Sequence, residues 1–267
     1  MTAFYAELVS DRLAVGRLAL TGYGALPVAF GGGVNSVALV ILLSNGGWRG
    51  PVLFADTGAE WPETYAYLAY FERVFLRPRG LELVRLGKEW RSDRVAREMD
   101  LLEYCQRRSI FPNPRRRWCT HQWKVEPLRN WCQAHGYRHV DVLLGISADE
   151  AHRQRKARRP LVEHGITRED CARVIAGQGL ALPRKSGCWF CPLQAEAQWR
   201  ELYVVHPELF AQAVELEEAK GEKYGRRVFL RMRAGETLRE FAARIELQGA
   251  FWPWQEHYDP SRSGWLR

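Results

Sequence analysis

The sequence predicts an α/β fold, a mostly parallel sheet with helices on both faces, plus a small helical C-terminal region. Three observations carry this prediction. Short apolar runs at 26–30, 51–55 ("PVLFA"), 81–85 and 140–144 ("VDVLL") read as buried strands. Helical patterns fill the intervals, over 34–45, 62–75 and 122–135. Turn residues follow three of the strands directly, as Gly31–Ser36, Asp56-Thr57-Gly58 and Gly145–Glu150. Ligands of such sheets bind at the carboxyl ends of the strands, so these three turns are expected to face one crevice.

Beyond residue 160 the pattern changes. "GITREDCARVIAGQGL" reads as a capped helix, with Thr167 as N-cap and Asp170 three residues on. "LPRKSGCWFCPLQ" reads as a loop, and helices bearing Trp and Arg are expected from about 195. The division that follows is a nucleotide-binding α/β domain over 1–194 carrying the Cys-x-x-Cys site, and a helical C-terminal region over 195–267. The tail "FWPWQEHYDPSRSGWLR" combines aromatics with turn formers and has no assigned place.

Composition narrows the function classes. The 267 residues are 46% hydrophobic, ordinary for a soluble globular chain. No run approaches the roughly 20 apolar residues of a membrane span. "MTAFYAELVSDRL" lacks a basic-then-apolar signal pattern, so a cytoplasmic protein is expected. Net charge is +8 and the pI about 9.3, with Arg115-Arg116-Arg117 and "HRQRKARR" at 152–159 contributing heavily. Solubility alone accounts for such clusters; beside a phosphate-type turn they also suit a nucleotide or nucleic acid.

"LPVAFGGGVNS" at 26–36 is that turn. Glycines let backbone approach a ligand, and the helix that follows offers unpaired N–H groups and the positive end of its dipole. No Gly-Lys-Ser/Thr follows, so it is not the common NTP-binding loop, and a third spaced glycine of the dinucleotide fingerprint is missing. A tight strand–helix turn explains the glycines equally well. Among six cysteines, Cys188-Trp-Phe-Cys191 has metal-ligand spacing. A tetrahedral zinc or a cubane cluster needs about four ligands. Cys119 and Cys171 are the candidates to complete the set, His121 is an alternative ligand, and Cys171 reads equally as a buried helix cysteine. Cys105 and Cys132 are expected to pack in helices. Iron–sulfur, zinc and a redox dithiol all remain open.

These segments together resemble a known group. Gly31-Gly32-Gly33-Val34-Asn35-Ser36 is similar to the pyrophosphate loop of the adenine-nucleotide α-hydrolase (PP-loop ATP pyrophosphatase) superfamily, written Ser-Gly-Gly-x-Asp-Ser, with Gly31 for the serine and Asn35 for the aspartate. "VLFADTGAEWPETYAYL", "WCTHQWKVEPL", "GISADEAHRQRK" and "GITREDC…KSGCWFCP" resemble, in order, segments of its phosphoadenosine phosphosulfate (PAPS) reductase branch, with Ser147 where Arg is common. The resemblance covers residues 26–192.

The resemblance implies an adenylyl-nucleotide-binding enzyme of sulfur metabolism. Gly31, Gly32, Gly33, Asn35, Ser36, Asp56, Thr57 and Gly145 would hold ATP or PAPS, with Asp56 and Thr57 facing the adenosine. Lys124 and Arg153 would neutralise phosphate or sulfate, and Asp149 with Glu150 would hold Mg²⁺ or orient Arg153; a solvated surface and a local salt bridge are the plain alternatives. Cys119, Cys171, Cys188 and Cys191 would ligate a [4Fe–4S] cluster, zinc being the alternative. Three activities follow in order: cleavage of the α–β bond of ATP to activate an acceptor, such as tRNA or DNA, for sulfur transfer; thiol-dependent reduction of PAPS or adenosine phosphosulfate to sulfite; and non-catalytic nucleic-acid binding with structural zinc. PAPS reductases proper carry a nucleophilic cysteine in a C-terminal Glu-Cys-Gly-Leu/Ile-His segment, whereas residues 192–267 contain no cysteine. Oligomeric state stays open, a dimer included.

Overall fold

The computed structural model describes residues 18–87, 89–92, 95–153, 156–231 and 235–247; the aromatic tail and the N-terminal residues read above lie outside them. Four parallel strands, β1 (Val28–Ala29), β2 (Val52–Ala55), β3 (Leu83–Leu86) and β6 (Leu143–Leu144), form one sheet in the order β3-β2-β1-β6. Val28 pairs with Val52 on one side and Leu143 on the other. The chain thus steps outward from β1 to β3 and returns to the opposite side of β1 as β6. The switch point between β1 and β6 leaves a crevice at the strand ends.

The strands are shorter than the apolar runs predict. Only Val28 and Ala29 of 26–30 pair, and 140–144 begins as a single 3₁₀ turn, His139–Asp141. Helix α1 (Val34–Asn45) matches the predicted 34–45 and is enclosed on every side, Val34 to Ser44 all being buried. Helix α2 (Pro62–Phe71) starts on Pro62, whose fixed φ suits a first turn. The chain continues helical past 71 through a π turn, Glu72–Leu76, and ends at Gly80 with φ +68°. Phe71 and Phe75 stack at 5.0 Å across that junction. An antiparallel hairpin, β4 (Glu89–Ser92) and β5 (Val95–Glu98), and helix α3 (Leu101–Arg108) were not foreseen. Asp100 Oδ1 caps α3 by accepting from Glu103 N at 2.6 Å.

Helical turns α4 (Trp118–Thr120) and His121–Val125 lead into α5 (Glu126–Ala134), beginning four residues ahead of the expected 122. After α6 (Pro160–Glu163), the capped helix appears as α7 (Arg168–Gly177), with Thr167 Oγ1 accepting from Asp170 N and Thr167 N donating to Asp170 Oδ2. Helix α7 packs on α1 in one core, to which it supplies Cys171, Val174 and Ile175.

Helices α8 (Glu196–Val205), α9 (Pro207–Tyr224) and α10 (Leu238–Leu247) make the expected helical C-terminal region. Their buried Trp199, Phe210, Leu216 and Phe241 join a second core with Ala59, Trp61, Leu101, Trp123, Trp189 and Phe190. Buried Glu217 is satisfied, accepting from Leu230 N and Leu238 N at 2.6 Å each. A clamp seals α8 to α2: Arg184 binds Glu63 at 2.8 Å and Glu201 at 2.9 Å, His206 Nε2 donates to Glu63 at 2.7 Å, and the Arg184 guanidinium lies 3.7 Å from the Trp61 ring. No helix among the described residues is long and apolar enough to cross a membrane.

Burial works to raise the Glu63 pKa, but the His206 hydrogen bond and the Arg184 charge outweigh it and hold the carboxyl below its usual value. Ionised Glu63 therefore stabilises the fold above the ordinary carboxylate pKa, and this is lost as pH falls. Glu63→Gln is expected to destabilise by about 1–3 kcal/mol at neutral pH. The gap to wild type should narrow on acidification; denaturant melts of both proteins at neutral pH and at about pH 3.5 test this. Glu201 is shifted upward, by burial, so the comparison must be between the two proteins and not between two pH values of one.

Candidate functional site

The crevice at the switch point is a cavity of about 520 Å³. Its floor is apolar, with Phe30, Phe54, Leu128, Val142 and Leu144. Its polar lining is strongly cationic: Arg117, Lys124, Arg153, Lys156, Arg168 and Lys185 stand against one carboxylate, Glu150. An apolar floor with a cationic rim suits an aromatic base joined to a polyanion.

The glycine turn forms one wall. Gly31, Gly33, Asn35 and Ser36 line the cavity, while Gly32 takes φ +70°, which favours glycine, and packs against Leu68 and Thr64. A Cβ on Gly33 would stand 2.9 Å from Ser186 Oγ. Ser36 Oγ bonds within the turn, accepting from Gly31 N at 3.3 Å and donating to Gly33 O at 2.9 Å. The first main-chain helical bond is Val37 N to Gly33 O, and no side chain caps α1. The preceding N–H groups of its first turn are those that a helix leaves without an intrahelical acceptor. Gly145 closes the turn from the β6 side.

Asn35, which stands in for an aspartate of the resembling loop, is itself engaged. Its Nδ2 donates to Ser147 Oγ at 2.9 Å and Glu150 Oε2 at 3.1 Å, and its Oδ1 accepts from Arg168 at 3.5 Å. Glu150 in turn holds Arg153 at 3.0 Å. An amide at position 35 can thus bridge a carboxylate and a guanidinium, whereas an aspartate would repel the carboxylate.

Of the residues singled out from the sequence, Gly31, Gly33, Asn35, Ser36, Gly145, Lys124 and Arg153 line this one cavity. Asp149, Asp56 and Thr57 do not. Asp149 is exposed and accepts from Arg168 N at 2.9 Å; its pKa is lowered by Ser147 and that N–H. Asp56 Oδ1 accepts from Gly58 N at 2.8 Å and Tyr65 OH at 2.7 Å, which fastens the turn after β2. Thr57 is buried and donates to Glu60 Oε1 at 3.3 Å. Arg168, Lys185 and Ser186 are lining residues the sequence does not mark, whereas Arg117 and Lys156 belong to the basic clusters read as suited to a nucleotide. Arg117 takes a non-glycine φ of +46° at the cavity wall.

Behind Lys124 lies a second polar centre. Its Nζ donates to Glu60 Oε1 at 2.7 Å, and the Glu60 side chain is fully buried. Burial pulls the Lys124 pKa down, but Glu60, with nearby Cys188 and Cys119, more than offsets this and the net shift is upward. Thr57 Oγ1 lies 3.5 Å from Cys188 Sγ. Cys119 and Cys188 pack against the second core, and burial raises the pKa of both Cys188 and Cys191. Cys171 is elsewhere, enclosed in the α1–α7 core. His121 begins the π turn next to Cys119.

Fold and site define a nucleotide-binding α/β protein with its ligand crevice at a topological switch point. The chain belongs to a particular family of that class: the model of the phosphoadenosine phosphosulfate reductase domain matches residues 25–170, more than half of it. It is accordingly a nucleotide-binding enzyme of sulfur metabolism. Among solved structures, a phosphoadenylyl-sulfate (PAPS) reductase from Candida auris in a phosphate complex is similar at 14% identity, covering 63% of this chain and 82% of that one, with a TM-score of 0.42. No curated protein matches.

A Cβ at position 145 would fall 2.8 Å from Ser36 N and Cα. Gly145→Ala is therefore expected to push back the first turn of α1. Nucleotide affinity should drop and stability should fall by about 1–3 kcal/mol, as read by ligand titration and denaturant melts.

Proposed function

We propose that this enzyme binds ATP in the crevice and cleaves its α–β phosphate bond to activate an acceptor for sulfur transfer. The observation that carries the reading is the partition of the site: six cationic side chains and an uncapped helix N-terminus surround the cavity, while among the described residues no cysteine lines it. A reductase needs a thiol at the sulfonyl sulfur, inside the pocket. A nucleotide activation step does not.

The chain's own groups divide the work. The apolar floor takes the adenine. The N–H groups at the start of α1, with Lys124 and Arg153, bind the phosphates and stabilise the departing pyrophosphate. An acceptor oxygen attacks the α-phosphorus, the bond from that phosphorus to the bridging oxygen breaks, and the electron pair leaves with pyrophosphate. AMP remains on the acceptor as the leaving group for later sulfur attack. Mg²⁺ commonly sits on one or two carboxylates and the phosphates. Glu150, the one carboxylate in the lining, fits that role and would screen the charge of the phosphates. The activated acceptor is a nucleic acid or a smaller nucleophile.

Cys119, Cys188 and Cys191 are the candidate thiolates for an iron–sulfur cluster or zinc, but among the described residues no three His, Cys, Asp or Glu side chains converge as the ligands of one ion do.

Family membership favours a second reading, thiol-dependent reduction of PAPS or adenosine phosphosulfate to sulfite. Anaerobically purified protein with ATP and Mg²⁺, then with PAPS and a thiol donor, separates the two. Pyrophosphate release supports activation; sulfite release supports reduction; neither product from intact protein refutes both. Lys185→Ala and Arg153→Ala should each weaken ATP binding by about tenfold, near 1.4 kcal/mol, by calorimetry. Adenosine, which lacks the phosphates, should bind both variants as it binds wild type.

A further inference from the structure

Two serines stand at the glycine turn, and the structure gives them different work. The Ser36 hydroxyl is spent inside the turn. It donates its one proton to Gly33 O at 2.9 Å and accepts from Gly31 N at 3.3 Å. The Ser186 hydroxyl reaches the same turn from the loop ahead of Cys188. Ser186 is half-buried and lines the crevice with Gly31, Gly33 and Lys185. Among the described residues its hydroxyl has no hydrogen-bond partner.

The glycines leave room for that hydroxyl. Gly33 has φ −95° and ψ 168°, extended backbone that any residue adopts, so conformation does not demand a glycine there. Space does. A Cβ at position 33 would meet Ser186 Oγ at 2.9 Å, and one at position 31 would lie 4.0 Å from the same atom. The bare face of the turn is therefore open to a ligand, with Ser186 Oγ at its edge.

Anchors on both sides hold the loop. Arg184 binds Glu63 at 2.8 Å and Glu201 at 2.9 Å. Gly187 O accepts from Trp61 N at 3.3 Å, and Trp189 N donates to Ala59 O at 3.0 Å. Lys185 and Ser186 are the two residues between these anchors, and both line the crevice. A segment fixed at both ends has little freedom left to lose when its side chains meet a ligand.

We propose that Ser186 binds the phosphates of the nucleotide, its hydroxyl donating to a phosphate oxygen seated on the glycine turn. This rests on the nucleotide reading of the crevice, and it transfers to position 186 the part that the resemblance gives to Ser36. The Ser186 hydroxyl gives up no protein bond on meeting an anion, and hydrogen bonds to charged acceptors are the stronger kind. Lys185 beside it adds the charge.

The test is calorimetric titration of the full chain with ATP and Mg²⁺, PAPS, inorganic pyrophosphate and adenosine. Wild type, Ser186→Ala, Gly33→Ala and the double variant are compared. Ser186→Ala should bind ATP and pyrophosphate about tenfold more weakly and adenosine as wild type does. Its melting temperature without ligand should stay that of wild type, since no protein group loses a partner. Gly33→Ala places a Cβ against the hydroxyl, so it should cost less ATP affinity in the Ser186→Ala background than in wild type. Equal ATP affinity in wild type and Ser186→Ala overturns the proposal, as do an equal loss for adenosine and additive losses for the two substitutions. A Ser186→Ala chain that does not fold makes the hydroxyl structural and also overturns it. PAPS separates this assignment from the ATP reading. If wild type binds PAPS and not ATP, the ATP reading fails, and the same tests, read with PAPS in place of ATP, decide the role of Ser186. Wild type that binds neither nucleotide overturns both.

Discussion

The turn from Asp56 to Trp61 is the constraint on which the rest depends. Asp56 fastens it by accepting from Gly58 N and Tyr65 OH, and Gly58 adopts φ +69° with Asp100 so near that a Cβ would lie 2.3 Å from the Asp100 Cβ. From this one turn hang the start of α3, the Cys-x-x-Cys loop and the Lys124 ammonium. Short backbone bonds give such a hub its accuracy, since main-chain groups carry no rotamer freedom to lose.

The Glu60–Lys124 pair is the wall between two chemistries. On one side is a cationic crevice shaped for phosphates; on the other is a core of thiols and aromatics. Burial pulls the Lys124 pKa down, and pairing with Glu60 more than offsets it. The single salt bridge thereby stands between the cationic lining of the crevice, to which Lys124 belongs, and the Cys188 side chain behind it.

The C-terminal helices complete this arrangement. Arg184, held between Glu63 and Glu201 and laid over Trp61, anchors the loop that carries Lys185 and Ser186 into the crevice and Cys188 into the thiol core. Arg231, paired with Glu196 and Glu236 and lying 3.9 Å from the Phe241 ring, ties α8 to α10 in the same way. Both arginines are largely enclosed, where a bidentate guanidinium serves better than a lysine ammonium.

The sequence by itself determined the parallel α/β plan, the glycine turn before α1, the Thr167 cap and the family, because each is encoded locally, in periodicity, in glycines or in a contiguous motif. It also placed Gly31, Asn35, Ser36 and Gly145 in one crevice, since strand ends in a parallel sheet converge by topology. Tertiary structure alone decided the roles of Asp56 and Thr57, which the sequence turns toward a nucleotide but which brace a turn. It brought Arg117, Arg168 and Lys185 to the phosphate rim from three distant segments. It sorted the cysteines as well: spacing marks Cys188 and Cys191, but that Cys171 lies in the α1–α7 core and Cys105 in the second core depends on which helix packs where, and pairwise packing between remote elements leaves no local signature in a chain.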